Sequence, residues 1–156
     1  MSIQKSVGLF AITLGIVFSA SSLFAHCQIP CGIYNDSLRI ELIKEHAGTI
    51  EKSMTMIKTL ESESPVNMNQ LVRWIQNKDD HAEKIQEIVT QYFMTQRIKP
   101  PVDEKGNDKY FYELGLLHQI LVQAMKCKQS TDVKELDKLR AFLLDFEKSY
   151  FEEHQH

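Results

Sequence analysis

The chain has 156 residues, of which 43% are hydrophobic and 25% charged, and its formal net charge at pH 7 is −3. This length is enough for one domain with a substantial hydrophobic core. The slightly acidic balance lacks the basic stripe that nucleic-acid binding requires, so we expect no nucleic-acid partner. The number of cysteines, three, is odd, which argues against a scaffold held only by internal disulfides.

Residues 1–25 have the features of a removable leader. Lys5 is their only charged side chain, an apolar run over 7–18 follows it, and small polar residues precede the end of the segment at Ala25. This is the order of regions in a secretory signal. The apolar run is shorter than the roughly 20 residues that span a bilayer. We therefore expect cleavage after Ala25, export to the periplasm or the cell exterior, and no membrane attachment afterwards. An uncleaved N-terminal membrane anchor is the alternative.

The residues after the leader, 26–34, read His-Cys-Gln-Ile-Pro-Cys-Gly-Ile-Tyr and are called the hook below. Cleavage would give His26 a free α-amine. That amine, the backbone nitrogen of Cys27 and the sulfur of Cys27 would form two fused five-membered chelate rings, and Cys31 would supply a second thiolate. Planar geometry with nitrogen and sulfur donors suits Ni(II) or Cu(II), whereas zinc favours tetrahedral sites. The sequence therefore predicts a metal-binding hook.

The remainder of the sequence has the periodicity of amphipathic helices. A first helix is predicted after the capping side chains of residues 35–37. Its apolar residues recur every three or four positions and share one face: Ile40, Ile43, Ala47, Ile50, Met54 and Ile57. Pro65 marks the end of this helix, because a proline pushes the preceding residue out of the α region.

Three more helices are predicted, over 67–96, over 109–126 and after a cap at 130–132. The apolar face of the second is interrupted by Lys78 and consists of Leu71, Ile75, Ala82, Ile85, Val89 and Tyr92. The faces of the third and fourth are Tyr110, Leu114, Leu117, Leu121 and Ala124, and Val133, Leu136, Leu143, Phe146 and Tyr150. Four such helices with short connections predict an all-α, antiparallel four-helix bundle. Large apolar residues outside these faces, including Trp74, Phe93, Phe111, Leu116, Phe142 and Phe151, are assigned to a wider core or to a subunit interface.

The hook closely resembles the nickel-binding hook of nickel-containing superoxide dismutases. The resemblance implies one nickel ion per subunit, bound by His26, Cys27 and Cys31, with the imidazole as the axial ligand. It implies conversion of superoxide to dioxygen and hydrogen peroxide by Ni(III)/Ni(II) cycling, and strong thiolate and amide donors would make that cycle accessible. Tyr34 matches the family tyrosine that stands over the metal. A homohexamer of four-helix bundles and a maturation peptidase are further implications.

The resemblance continues into the first helix. In the Arg39-Ile40-Glu41 segment, Glu41 matches the glutamate that supports the axial histidine by accepting its ring N–H. His81 aligns approximately with an arginine near that glutamate in the actinobacterial type, so it is a second candidate near the metal. Gln28 replaces the aspartate of many relatives. Family members usually lose a short leader inside the cell, so a cytoplasmic location after propeptide removal is the alternative to export.

Two other functions fit the sequence less completely. One is an exported helical protein whose hook binds nickel or copper without turnover. The other is a structural protein in which Cys27 and Cys31 form a small disulfide loop. Outside the hook, His46 and His118 are predicted to be polar packing residues, and Cys127 is predicted to be a free, partly buried thiol.

Overall fold

The computed structural model describes residues 35–102 and 107–152. Within these ranges the chain forms four α-helices, and the second continues directly into a π-helical segment. The elements are α1 (Asp36–Glu61), α2 (Met68–Glu87), the π segment (Ile88–Arg97), α3 (Asn107–Gln129) and α4 (Val133–Glu152). The predicted all-α four-helix bundle is confirmed. The leader and the hook lie outside the described residues.

Contacts between α1 and α4 show that neighbouring helices run antiparallel. At one end of the bundle, the first residue of α1, Asp36, accepts a hydrogen bond from Tyr150 near the end of α4. Further along α1, Glu51 binds Arg140, which lies earlier in α4. Each helix also packs against its neighbour in sequence, so the chain runs alternately up and down around one core.

The helix boundaries follow from local capping chemistry. The side chain of Asn35 accepts a hydrogen bond from the backbone N–H of Leu38, and Asn67 does the same for Gln70 at the start of α2. The side chain of Asp132 accepts from the N–H of Lys134 at the start of α4. The predicted caps before the first and fourth helices are therefore confirmed.

The predicted apolar face of α1 is entirely buried, with every member at most 2% exposed: Ile40, Ile43, Ala47, Ile50, Met54 and Ile57. The prediction for α2 is wrong at Ile75, which is 39% exposed. Lys78, the residue that interrupts the predicted apolar face, is only 3% exposed. The Lys78 ammonium donates hydrogen bonds to the carbonyl oxygens of Cys127 (2.6 Å) and Lys128 (2.5 Å) in the last turn of α3. The unpaired carbonyls at that helix end stabilise a cation there, which explains the burial.

The π segment contributes two large aromatic side chains to the core. Tyr92 and Phe93 are adjacent in sequence, yet both are buried. The Phe93 ring packs edge-to-face against Phe146 and Tyr150 of α4, with centroid distances of 5.0 and 5.7 Å. Phe93 therefore belongs to the core, as does Leu116. By contrast, Phe111 is 64% exposed.

None of the helices in the described part of the chain is long and apolar enough to cross a membrane.

Candidate functional site

The structure describes two of the six residues predicted to form the site. His26, Cys27, Cys31 and Tyr34 precede the first described residue, so their assignments stay predictions. Glu41 lies in the second turn of α1, and His81 lies in α2.

Glu41 is exposed on α1 and takes part in an ion-pair network between helices. Its carboxylate lies 2.9 Å from the ammonium of Lys44, and the same ammonium lies 2.9 Å from the carboxylate of Glu147 on α4. The side chain of Glu41 is 63% exposed. An exposed ion pair of this kind contributes little to stability, about 0–1 kcal/mol. The Glu41 carboxylate is therefore held only weakly in this arrangement.

His81 contacts a histidine on the neighbouring helix. Its Nδ1 atom lies 3.0 Å from Nδ1 of His46 on α1, and the two rings meet edge-to-face. In a hydrogen bond between them, one Nδ1 carries a proton and donates it, and the other accepts. At least one of the two imidazoles is therefore neutral, with no proton on Nδ1. Burial lowers the pKa of both imidazoles, and the positive charge of Lys84 lowers them further. The prediction that His46 is a polar packing residue agrees with this contact.

The histidine pair predicts a loss of stability in mild acid. In the unfolded chain these imidazoles take up protons near their ordinary pKa of 6.5, whereas the folded protein takes them up only at lower pH. The unfolded state therefore binds more protons as the pH falls below about 6.5, and the free energy of unfolding decreases. We expect His46→Gln to flatten this decrease between pH 7 and pH 5, measured by urea unfolding.

His118→Gln is the matched control, because His118 is exposed on α3. The prediction that His118 is a packing residue is therefore wrong. The unfolding of His118→Gln by urea is measured over the same pH range and compared with that of His46→Gln. A His46→Gln protein with the same pH profile as the unaltered chain would show that the pair does not titrate on unfolding.

A cluster of polar side chains surrounds the first residue of α1. Asp36 accepts hydrogen bonds from the hydroxyls of Tyr92 and Tyr150, the latter at 2.7 Å. The guanidinium of Arg97 donates to the same carboxylate through Nη2 at 2.8 Å and through Nε at 3.2 Å. Nε of Arg97 also lies 3.2 Å from the Tyr150 hydroxyl. These four residues are called the Asp36 cluster below, and they join α1, the π segment and α4.

The electrostatics of the Asp36 cluster favour a charged carboxylate. Burial acts to raise the pKa of Asp36, but hydrogen bonds from Tyr92, Tyr150 and Arg97 outweigh it and hold the pKa below its usual value. Burial and the hydrogen bond to this carboxylate raise the pKa of Tyr92 to about 12. The cluster therefore contains a carboxylate, a guanidinium and two neutral phenols at neutral pH.

The role of Asp36 was not predicted from the sequence, where this residue was assigned to helix capping. Asn35 provides that cap instead. A signal was present in Tyr92 and Tyr150, since a phenol hydroxyl placed on a buried helix face usually finds a hydrogen-bond partner. Which acidic residue would meet them depends on how the helices align, and that is not visible in the sequence.

The described residues offer no alternative metal centre built from three or more histidine, cysteine or acidic side chains. Cys127 is the one cysteine among them, and it is unpaired and fully buried. Burial raises the pKa of its thiol to about 11, so it stays protonated at neutral pH. Metals bind the thiolate form, so Cys127 is poorly suited to be a ligand.

The bundle, with a hook of potential metal ligands preceding it in sequence, has the organisation of a small helical metalloprotein. Residues 21–154 match the family model described as nickel-containing superoxide dismutase. Because this match covers most of the chain, the protein belongs to the nickel-containing superoxide dismutase family. It is accordingly an oxidoreductase whose substrate is superoxide and whose metal is nickel. Neither the curated proteins nor the solved structures gave a significant match.

Proposed function

We propose that the dismutation centre of this enzyme is the hook of the processed chain, with His26, Cys27 and Cys31 as the ligands of one nickel ion per subunit. The observation that carries this proposal is the donor set itself. Two thiolates, an amine, an amide nitrogen and an imidazole provide a mixed set of nitrogen and sulfur ligands that suits nickel. The third cysteine of the chain, Cys127, is buried and its thiol stays protonated at neutral pH. It is therefore poorly suited to replace Cys27 or Cys31 as a ligand, which supports the proposal.

Nickel bound there would supply one-electron chemistry, alternating between Ni(III) and Ni(II) as superoxide is oxidised and reduced. The remaining roles fall to residues of this chain. Tyr34 would order small molecules near the metal through its hydroxyl. Glu41 would accept the ring N–H of His26 and so fix the tautomer and orientation of the imidazole. The exposed carboxylate of Glu41 shares the ammonium of Lys44 with Glu147. Losing this exposed ion pair to bind the imidazole instead would therefore cost little free energy.

The experiment that tests the proposal measures bound metal and superoxide consumption together on mature protein beginning at His26. We expect about one nickel ion per chain and rapid dismutation. Copper occupancy without turnover would instead support a metal-carrying module, since copper binds most nitrogen and sulfur sites more tightly than nickel does. A Cys27–Cys31 disulfide with neither metal nor turnover would support the structural alternative.

Two substitutions separate metal binding from the supporting roles. Tyr34→Phe keeps the ring and removes the hydroxyl, so nickel should stay bound while turnover changes. Glu41→Gln should keep nickel, alter the axial-nitrogen splitting in the Ni(III) electron paramagnetic resonance (EPR) spectrum, and reduce activity by about 10- to 100-fold, because an amide is a poorer acceptor for the ring N–H. Nickel analysis, EPR and superoxide assays measure these effects.

Glu61→Gln serves as the control for the second substitution, because Glu61 is an exposed glutamate at the other end of α1. It should change neither the EPR spectrum nor the activity. If Glu41→Gln is equally silent, Glu41 does not orient the ring. His81, which contacts His46 in this structure, would then be the next residue to test.

We further propose that a maturation peptidase removes residues 1–25, that the leader directs export to the periplasm or the cell exterior, and that the mature chain forms a homohexamer. Cleavage in the cytoplasm is the alternative. Cell fractionation with N-terminal sequencing distinguishes the two locations. Sedimentation analysis of the mature protein measures the number of subunits directly.

A further inference from the structure

The histidine pair, His46 of α1 and His81 of α2, places two nitrogens that can bind metal side by side. Their Nδ1 atoms lie 3.0 Å apart, and neither imidazole has another hydrogen bond among the described residues. Each histidine is followed in sequence by a fully buried alanine, Ala47 on α1 and Ala82 on α2. The core therefore fixes the backbone at both positions, and the packing of the two helices sets the separation of the rings.

This separation fits two ligands of one metal ion as well as it fits a hydrogen bond. Imidazole nitrogens bind zinc at about 2.0–2.1 Å, so two of them at a right or tetrahedral angle on one ion lie roughly 2.9–3.4 Å apart. The two Nδ1 atoms already have this spacing. The χ2 torsion of histidine is broad, so small rotations of the rings can direct both Nδ1 lone pairs to one point.

The charges around the histidine pair allow a cation to bind at neutral pH. Burial and the positive charge of Lys84 lower the pKa of both imidazoles, so the rings are largely neutral there. In the neutral pair one Nδ1 carries the shared proton, and moving this proton to Nε2 of the same ring frees both Nδ1 atoms without changing the net charge. The carboxylates of Glu45 and Asp80 act on the pair in the opposite direction to Lys84 and favour a cation.

We propose that His46 and His81 form a further metal site, which binds a divalent transition-metal cation such as Zn²⁺ through the two Nδ1 atoms. Imidazole suits zinc, copper and nickel ions, and water would complete the coordination of an ion that has only two protein ligands. The bound ion would join α1 to α2 and stabilise the folded bundle, because it prefers the paired histidines to those of the unfolded chain. This site does not depend on the proposed function of the hook.

The test adds Zn²⁺ alone to nickel-loaded mature protein and to its His46→Gln and His118→Gln variants near pH 7.5. Equilibrium dialysis with metal analysis counts the bound zinc. We expect His46→Gln to bind one zinc ion fewer per chain than the unaltered protein, whereas His118→Gln should bind as many. The hook and the terminal histidines, His154 and His156, are the same in all three proteins, so zinc bound there cancels in the comparison.

Nuclear magnetic resonance of the imidazole nitrogens locates the bound zinc. The signals of His46 and His81 should shift together as zinc is added, and acid should reverse the shift, because protons compete for the same lone pairs. If only the signals of the terminal histidines respond, or if His46→Gln binds as much zinc as the unaltered chain, the binding is adventitious and the proposal is wrong.

Urea unfolding measures the stabilisation that the bound ion provides. Zinc should raise the urea midpoint of the unaltered protein and of His118→Gln, with a much smaller effect on His46→Gln. An equal rise in all three proteins would also overturn the proposal. If His46→Gln does not fold, His81→Gln removes the other ligand and allows the same comparison.

Discussion

Replacing either Cys27 or Cys31 with serine is expected to abolish both nickel binding and superoxide consumption. A serine hydroxyl is not ionised at neutral pH and is a much harder ligand than a thiolate, so it does not replace the sulfur donor of a nickel site. The one remaining thiolate and the nitrogen donors would neither retain nickel nor make its oxidation accessible. Metal analysis of the purified variant and an assay of superoxide decay measure the two losses on the same sample.

Cys127→Ala is the matched control, since it removes the third cysteine of the chain from the core. It should lower stability, because the fully buried thiol packs against apolar neighbours, but nickel content and activity per folded molecule should persist. Near-native activity in Cys27→Ser or Cys31→Ser would contradict the proposed ligand set and would favour a structural role for this cysteine pair.

A chain that keeps any residue before His26 is expected to lose its superoxide dismutase activity. The proposed donor set includes the α-amine of His26, which becomes an amide nitrogen when any residue precedes it. Adding one alanine before His26 should therefore reduce activity to background even though every side chain is unchanged. Mass spectrometry of the native protein should find a chain that begins at His26.

The control adds the same alanine after His156, where the extension leaves the amine intact. This variant should bind nickel and turn over like the mature protein. A precursor that retained residues 1–25 and was fully active would contradict the mechanism, because no free amine would then exist at His26.

Helix positions and the family of this protein could be predicted because both depend on local sequence. The face of α1 from Ile40 to Ile57 is buried as predicted, since apolar residues spaced three and four apart must share one side of a helix. Asn35 caps α1 because its side chain reaches a backbone N–H only three residues away. The hook pattern of 26–34 pointed to the family that the match over 21–154 shows.

The burial of side chains in the second helix was not fully predictable from its local sequence. Periodicity placed Ile75 and Lys78 on the same face, but the structure leaves Ile75 39% exposed and buries Lys78. An ammonium is buried there because the end of α3 presents unpaired carbonyl oxygens to it. Phe93, which lies outside the predicted apolar face of the second helix, is buried beside Tyr92 in the π segment.

The sequence alone determined four amphipathic helices and the caps before the first and fourth of them, and it predicted a hook of nickel ligands, because these features depend on spacing and side-chain chemistry. Only the tertiary structure decided which polar groups meet. The carboxylate of Asp36 binds Arg97 and Tyr150, and His81 binds His46, across helices far apart in sequence. Such partners depend on the alignment of packed helices, which is set by the core as a whole and by no single segment.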